Sequence, residues 1–220
     1  LLDMERFGIA VDDDYLAALE SEFSARVVNA ATEAFAVIGK EINLGSPKQL
    51  QVVLFDELNM HKTKKTKTGY TTDADALQSL FVKTEHPFLL HLLDHRDVTR
   101  LRQTIEGLRK TIAPDGRIHT TYAQTIAATG RLSSNNPNLQ NIPIRTESGR
   151  RIRGAFVVGK GFETLLTADY SQIEMRIMAH LSEDADLIAA FKSGEDFHTV
   201  MAAKVFSLPP EEIDGGLRAR

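Results

Sequence analysis

Apolar positions recur every three or four residues through the first third of the chain. Leu16, Leu19, Phe23, Val27, Ala30, Ala34 and Ile38 share one helical face, which predicts a long amphipathic helix. Asp12–Asp14 offer N-cap candidates and a negative first turn, and Gly39 supplies a stop. A shorter helix is predicted from Ser46, with Pro47 at its first position and Gln49 completing a capping-box pattern. Leu50, Val53 and Leu54 form its inward side. Residues 59–72 are rich in lysine and threonine and have no apolar period, so an exposed loop is expected there. Helix resumes near Thr72 or Asp73 with Leu77, Leu80 and Phe81 inward. After Pro87 a long stretch carries Phe88, Leu92, Leu93, Leu101, Ile105, Leu108 and Ile112 on one face.

The pattern then changes. Pro114-Asp115-Gly116 is a turn signal, and 117–125 alternates in part as a strand does. Phe156-Val157-Val158, the turn Gly159-Lys160-Gly161 and Thr164–Ala168 predict two strands joined by a tight connection. Helical spacing returns from Ser171 (Ile173, Ile177, Leu181, then Leu187, Ile188, Phe191). A last helix is expected from near Asp196 to Leu208, ended by Pro209-Pro210. The fold class is therefore α+β and mainly helical, with a helical arm, a small sheet and a second helical arm. No internal repeat is visible.

Composition narrows the class little. Hydrophobic residues make up 42% and charged residues 25% of 220 positions, as in ordinary globular proteins. No apolar run approaches a membrane span, and no leader pattern opens the chain. The absence of cysteine excludes disulfides and thiolate metal sites. These features lead us to expect a cytoplasmic protein with no membrane partner. The chain starts at Leu1 and finishes on Leu217-Arg218-Ala219-Arg220 in helical sequence, so a cut at both ends is expected. The net charge of −4 argues against a polyanion partner only as an average. Four lysines fall within 61–69, and Arg145, Arg150, Arg151 and Arg153 fall within nine residues. Phosphate binding needs such local basic surface, although one cluster alone is more often a solvated face.

Chemistry concentrates in Ala168-Asp169-Tyr170-Ser171-Gln172-Ile173-Glu174-Met175-Arg176. A strand ending in Asp169 and turning at once into a helix would set a carboxylate at a sheet edge, where it can hold a divalent cation. Mg²⁺ takes hard oxygen ligands and often only one or two protein carboxylates, phosphates filling other positions. An isolated aspartate at such a place is more often a helix cap. A second segment, 125–145, is dense in amides and hydroxyls. Arg, Asn and Gln donors of this kind suit the acceptors of a minor groove, whereas composition alone equally describes a polar loop.

Three ordered strings carry a resemblance. Asp169–Arg176 resembles motif A of the DNA polymerase I family (family A), D-Y-S-Q-I-E-L-R, with Met175 for Leu. Thr129–Arg145 resembles that family's T-G-R-L-S-S-x-x-P-N-L-Q-N-I-P-x-R, and Gly149–Phe156 its G-R-x-I-R-x-A-F. Asn43–Leu50 is similar to N-L-x-S-x-K-Q-L, so the whole chain aligns to the polymerase portion of the family.

The resemblance implies a partial right-hand fold: residues 1–87 thumb-like with a basic loop at 61–69, 88–170 partial palm ending in motif A, and 171–220 the start of the fingers. It implies template-directed DNA synthesis in replication and repair, by deoxynucleotidyl transfer to a primer 3′-hydroxyl, in a bacterial cytoplasm and on the nucleoid during synthesis. The implied partners are primer-template DNA and deoxynucleoside triphosphates, and the implied state is a monomer. Asp169 would be catalytic and bind two Mg²⁺ ions, with the backbone carbonyl of Tyr170 helping to hold one. Glu174, His198, Arg145 and Arg218 would bind the nucleotide, Glu174 by crowding the sugar 2′ position and His198 by contacting phosphates. Arg131, Asn138, Gln140, Lys64, Lys65 and Lys67 would contact DNA. The family's lysine- and aromatic-bearing fingers motif and its later H-D-E motif, with a second metal-binding aspartate, are not in these 220 residues. The piece alone is therefore expected to be inactive. The alternatives are a non-catalytic DNA-binding remnant and a phosphohydrolase built on Asp169.

Overall fold

The computed structural model describes residues 1–67, 69–144, 146–193 and 196–218, without the side chains of Ser193, Phe197, Leu217 and Arg218. Two compact units divide at 165/166: Leu1–Leu165 and Leu166–Arg220.

In the first unit a short helix α1 (Leu2–Phe7) leads into β1 (Ile9–Ala10) and the long helix α2 (Asp13–Ile38). Asp12 is the N-cap of α2, its carboxylate accepting from the Tyr15 amide at 2.9 Å, and Gly39 ends the helix in the left-handed region. After α3 (Pro47–Gln51) the chain continues as a π-helical turn, Val52–Glu57, whose Leu58 amide reaches back to the Val53 carbonyl. The expected capping box is only half formed. Ser46 accepts from the Gln49 amide, but the Gln49 side chain accepts from Asn43 (2.7 Å), because the Ser46 amide is already bound to the Asn43 carbonyl.

The predicted exposed loop holds a small hairpin, β2 (Lys65–Thr66) with β3 (Gly69–Tyr70). The Gln51 side chain secures it by accepting from the Tyr70 amide at 3.0 Å, a long-range bond that no local pattern announces. Helix α4 (Ala74–Thr84) follows, capped by Asp73, and then α5 (Pro87–Arg109), which starts on its proline.

Helices α2 and α5 run antiparallel. Cross-helix pairs descend on one helix as they climb on the other: Arg109 with Asp13 and Glu20, Arg26 with Asp94, His91 with Glu33. The pair is shared by two apolar clusters. One joins Ala34 and the α3 region (Leu50, Val53, Leu54) to Leu77, Leu80, Phe88, Leu89 and Leu92. The other joins Leu16, Leu19 and Phe23 to Val98, Leu101, Ile105, Leu108, Ile118, Ile142, Ile152 and Ala155.

The second cluster lies under the only strands outside the hairpin among the described residues. β4 (Arg117–Ile118) pairs antiparallel with β1, and β5 (Thr121–Ala123) pairs antiparallel with β6 (Ser133–Asn135). Gly8, at φ 62, lets the end of α1 approach closely, since a Cβ there would lie 2.6 Å from the Ile118 carbonyl oxygen. Helix α6 (Glu147–Arg153) carries three of the clustered arginines. One is committed to packing: Arg151 forms a bidentate pair with Glu22, and its guanidinium sits 5.8 Å from the Phe23 ring centre.

The predicted strands at Phe156–Val158 and Thr164–Ala168 do not form. Phe156 makes one isolated bridge to Val11, and the Val157 amide donates to Ala10. Residues 164–170 are exposed and form no regular element, without a ladder partner among the described residues. A strand is defined by its neighbour, and alternation in sequence does not supply one.

The second unit holds α7 (Ile173–Ser182), α8 (Ala185–Ser193), α9 (Phe197–Phe206) and α10 (Gly215–Arg218). Helix α9 stops at Phe206, before the expected Leu208, because Ser207 takes the left-handed cap conformation. No helix among the described residues is long and apolar enough to cross a membrane.

Candidate functional site

In the second unit, Asp169 and Tyr170 lie on the exposed approach to α7, with Tyr170 80% exposed. Glu174 is exposed in the first turn of that helix, where the positive end of the macrodipole favours a carboxylate. The approach is shaped by Gln172, which sits at the N-cap position with φ 54 and ψ 40 and makes no side-chain cap bond. Its side-chain amide instead donates to Asp196 at 3.4 Å. Asp196 caps α9, accepting from the Thr199 amide (3.1 Å) and the Thr199 hydroxyl (2.7 Å). His198 is exposed in the first turn of α9. The Asp169 turn and the helix end bearing His198 are thus joined by one side-chain bond. Arg176 holds the same turn from behind: its Nε donates to the Ser171 carbonyl (2.9 Å) and its guanidinium lies 4.7 Å from the Phe191 ring centre.

Among the described residues no group of three or more His, Cys, Asp or Glu could by itself hold a metal ion. One exposed carboxylate beside a backbone carbonyl suits part of an oxygen shell whose remainder comes from elsewhere. Asp169 and Tyr170 fit that partial role and not a complete site.

In the first unit, Arg131 is exposed just after Gly130, whose φ is 77. Asn138 is exposed and caps a 3₁₀ turn, Leu139–Asn141, accepting from the Gln140 amide at 3.0 Å. The exposed side chain of Gln140, expected to contact DNA, bonds to its own loop. Its oxygen accepts from the Ser134 amide (3.3 Å) and its nitrogen donates to the Leu132 carbonyl (3.0 Å).

Lys64, Lys65 and Lys67 are exposed on and beside the β2–β3 hairpin, while Lys62 lies 5.2 Å from the Tyr70 ring centre. His61, Lys62, Lys64 and Lys83 line one open cleft of about 350 Å³ there. Arg145 lies outside the described residues, as does the side chain of Arg218. Sequence reasoning did not single out Gln172, or the buried hydroxyls of Thr120 and Ser134. Asp196 was visible only as a helix opener.

The description of DNA polymerase family A matches residues 13–220. The chain belongs to DNA polymerase family A. Among family A relatives, DNA polymerase I of Mycobacterium tuberculosis (strain H37Rv) is 68% identical over 220 residues, covering all of this chain and 24% of that protein. DNA polymerase I of Geobacillus stearothermophilus is 44% identical over 99% of this chain and 25% of its own length. The chain therefore spans about a quarter of the length of these curated relatives. Among solved structures, the POL domain of Pol1 from M. smegmatis, in complex with DNA primer-template and dNTP, matches 99% of this chain and 38% of its own. The TM-score is 0.94 at 69% identity. The mainly helical fold with small antiparallel sheets is that of part of a family A polymerase domain.

Proposed function

We propose that this chain is part of a bacterial DNA polymerase I that extends a primer on a DNA template. The observation that carries this reading is its likeness, over nearly its whole length, to a polymerase domain bound to primer-template and dNTP. In this reading residues 1–87, with α2 and the β2–β3 hairpin, are thumb-like, Lys64, Lys65 and Lys67 meeting duplex phosphates. Residues up to Tyr170 are palm, and 171–220 begin the fingers. Arg131 and Asn138 face the duplex, with Gln140 beside them. Glu174 limits space at the sugar 2′ position. His198 meets the triphosphate at the α9 N-terminus, where the positive end of the helix macrodipole also favours anions, and Arg145 and Arg218 contribute on the nucleotide side.

The reaction forms a bond between the primer 3′-oxygen and the α-phosphorus as the bond to the bridging oxygen breaks and pyrophosphate leaves. Asp169 and the Tyr170 carbonyl would hold divalent cations, expected to be a pair of Mg²⁺ ions, which when bound neutralise charge on the phosphates. The second carboxylate would come from outside these 220 residues.

The test is a chimera in which this chain replaces the matching segment of the M. tuberculosis enzyme. Primer extension by the chimera, lost on Asp169→Ala with duplex affinity kept, supports the reading. A folded chimera that extends equally well with Asp169→Ala overturns it. The isolated chain is expected to show no template-directed incorporation. Duplex binding without chemistry is the second reading, favoured by the exposed lysines Lys64, Lys65 and Lys67 on and beside the hairpin.

A further inference from the structure

We infer that Thr120, Ser134 and Gln140 are positioning residues that hold the 131–139 loop in the shape that presents Arg131 and Asn138 to duplex DNA. The inference rests on the proposed role of that loop in DNA binding. Its physical basis is a polar node in the first unit. Thr120 is 6% and Ser134 1% exposed, and their hydroxyl oxygens lie 2.6 Å apart. The Thr120 hydroxyl is within reach of the Pro137 carbonyl (2.8 Å) and the Asn135 carbonyl (3.0 Å). The Ser134 oxygen accepts from the Leu139 amide at 3.2 Å. Two proton arrangements satisfy the pair: Ser134 donates to Thr120 while Thr120 donates to a carbonyl, or Thr120 donates to Ser134 while Ser134 donates to the Pro137 carbonyl at 3.3 Å.

Gln140 closes the same loop from outside, bonding the Leu132 carbonyl and the Ser134 amide with the two ends of one amide group. The loop has only three ladder residues, Ser133–Asn135. Its other backbone groups need partners, and side chains supply them. A loop folded on itself in this way has its ordering cost met before a ligand arrives, which strengthens binding without adding a contact. Arg131 and Asn138 stand near the two ends of the braced segment, and both are exposed. Gln140 therefore acts on DNA through the loop it shapes.

The test uses the full 220-residue chain and a fluorescent primer-template duplex. Thr120→Val keeps the shape of the side chain and removes the hydroxyl, leaving buried partners unmatched. Duplex binding should weaken about tenfold, with the salt dependence unchanged because no charge is lost. Thr120→Ser, which keeps the hydroxyl, should bind within about twofold of the parent. Amide hydrogen exchange within 131–141 should quicken in Thr120→Val while α2 and α5 keep their protection. Gln140→Ala, on the exposed side of the loop, should show the same exchange and binding pattern should Thr120→Val prove globally unstable.

Arg131→Ala separates this inference from the reading beneath it. If Arg131→Ala weakens binding while Thr120→Val and Gln140→Ala bind as the parent does, the positioning role is wrong. Unchanged loop exchange in both variants overturns it equally. If Arg131→Ala binds as the parent does, or the parent does not bind duplex, the DNA-facing reading fails and the inference falls with it.

Discussion

The side-chain amide of Gln172 donates to the carboxylate of Asp196 across 24 residues, tying the turn that carries Asp169 to the helix end that carries His198. Asp196 bonds through both oxygens, one to Gln172 and the other to Thr199. Asp196→Ala loses the α9 cap as well as the tie, costing about 1 kcal/mol of local stability. Gln172→Ala loses the tie alone. In the chimeric polymerase we expect Gln172→Ala to raise KM for the nucleotide more than it lowers kcat, measured by single-nucleotide incorporation. Unaltered KM would show that the bond is incidental.

Glu174 offers a second prediction. It is exposed in the first turn of α7, and its proposed task is steric. Glu174→Ala in the chimera should raise ribonucleotide incorporation relative to deoxyribonucleotide by at least about tenfold, a difference of ~1.4 kcal/mol in discrimination. Competition between the two sugars on one template reads this directly. Unchanged rejection of ribonucleotides would defeat the steric role.

His119 makes stability depend on pH. Its Nδ1 faces the Glu5 carbonyl oxygen at 2.9 Å and its Nε2 faces Asp115 at 3.0 Å. The Glu5 carbonyl first, then the Asp115 carboxylate, favour the protonated ring and hold its pKa above the ordinary value of about 6.5, against Arg117 nearby. A raised folded pKa contributes stability that is full below the unfolded value and is lost as pH rises through the folded one. The unfolding free energy from urea titrations should therefore fall between pH 6 and pH 8, by less than about 1 kcal/mol because the ring is partly solvated. His119→Gln should flatten that slope.

Arg109 ties the C-terminal end of α5 to the N-terminal part of α2. It reaches Asp13 through Nε at 2.7 Å and Glu20 through a terminal nitrogen at 2.7 Å. The Asp13 contact, then Glu20, raises the guanidinium pKa, and Arg109 in turn lowers that of Asp13. Arg109→Ala should cost up to about 1 kcal/mol, shrinking with added salt, as solvated pairs do. Phe23→Ala, at 0% exposure in the cluster beneath, should cost about 3–5 kcal/mol without salt dependence. Thermal melts at low and high salt separate the two.

Helices were legible because their signals are local. The face from Leu16 to Ala34, the Asp12 cap, the Gly39 stop and the first-position proline Pro47 all stand in the structure as read, and the stretch after Pro87 is helical as expected. Strand pairing was not legible. The alternation at 164–168 states which side chains could share a face, but a ladder needs a neighbour that spacing does not name. The β2–β3 hairpin escaped notice because its anchor is Gln51, 19 residues before Tyr70. For the site, ordered motifs marked Asp169, Glu174 and Arg131. They could not reveal that the Gln140 amide turns back on its own loop, or that Thr120 and Ser134 meet in the interior, since burial of a hydroxyl leaves no periodic trace.

The sharing of α2 and α5 between two apolar clusters has a mechanical consequence. A 26-residue helix is a rod about 39 Å long. Gripped by one cluster at its Phe23 end, it carries the other cluster and the lysine hairpin as a lever arm. From Phe23 to Ile38 the rod runs about 23 Å, so a tilt of about 6° at the grip sweeps the far end through about 2 Å. Stiffness along the rod thus magnifies a small adjustment of packing around Phe23 and Ile105 into a larger displacement at the lysine hairpin.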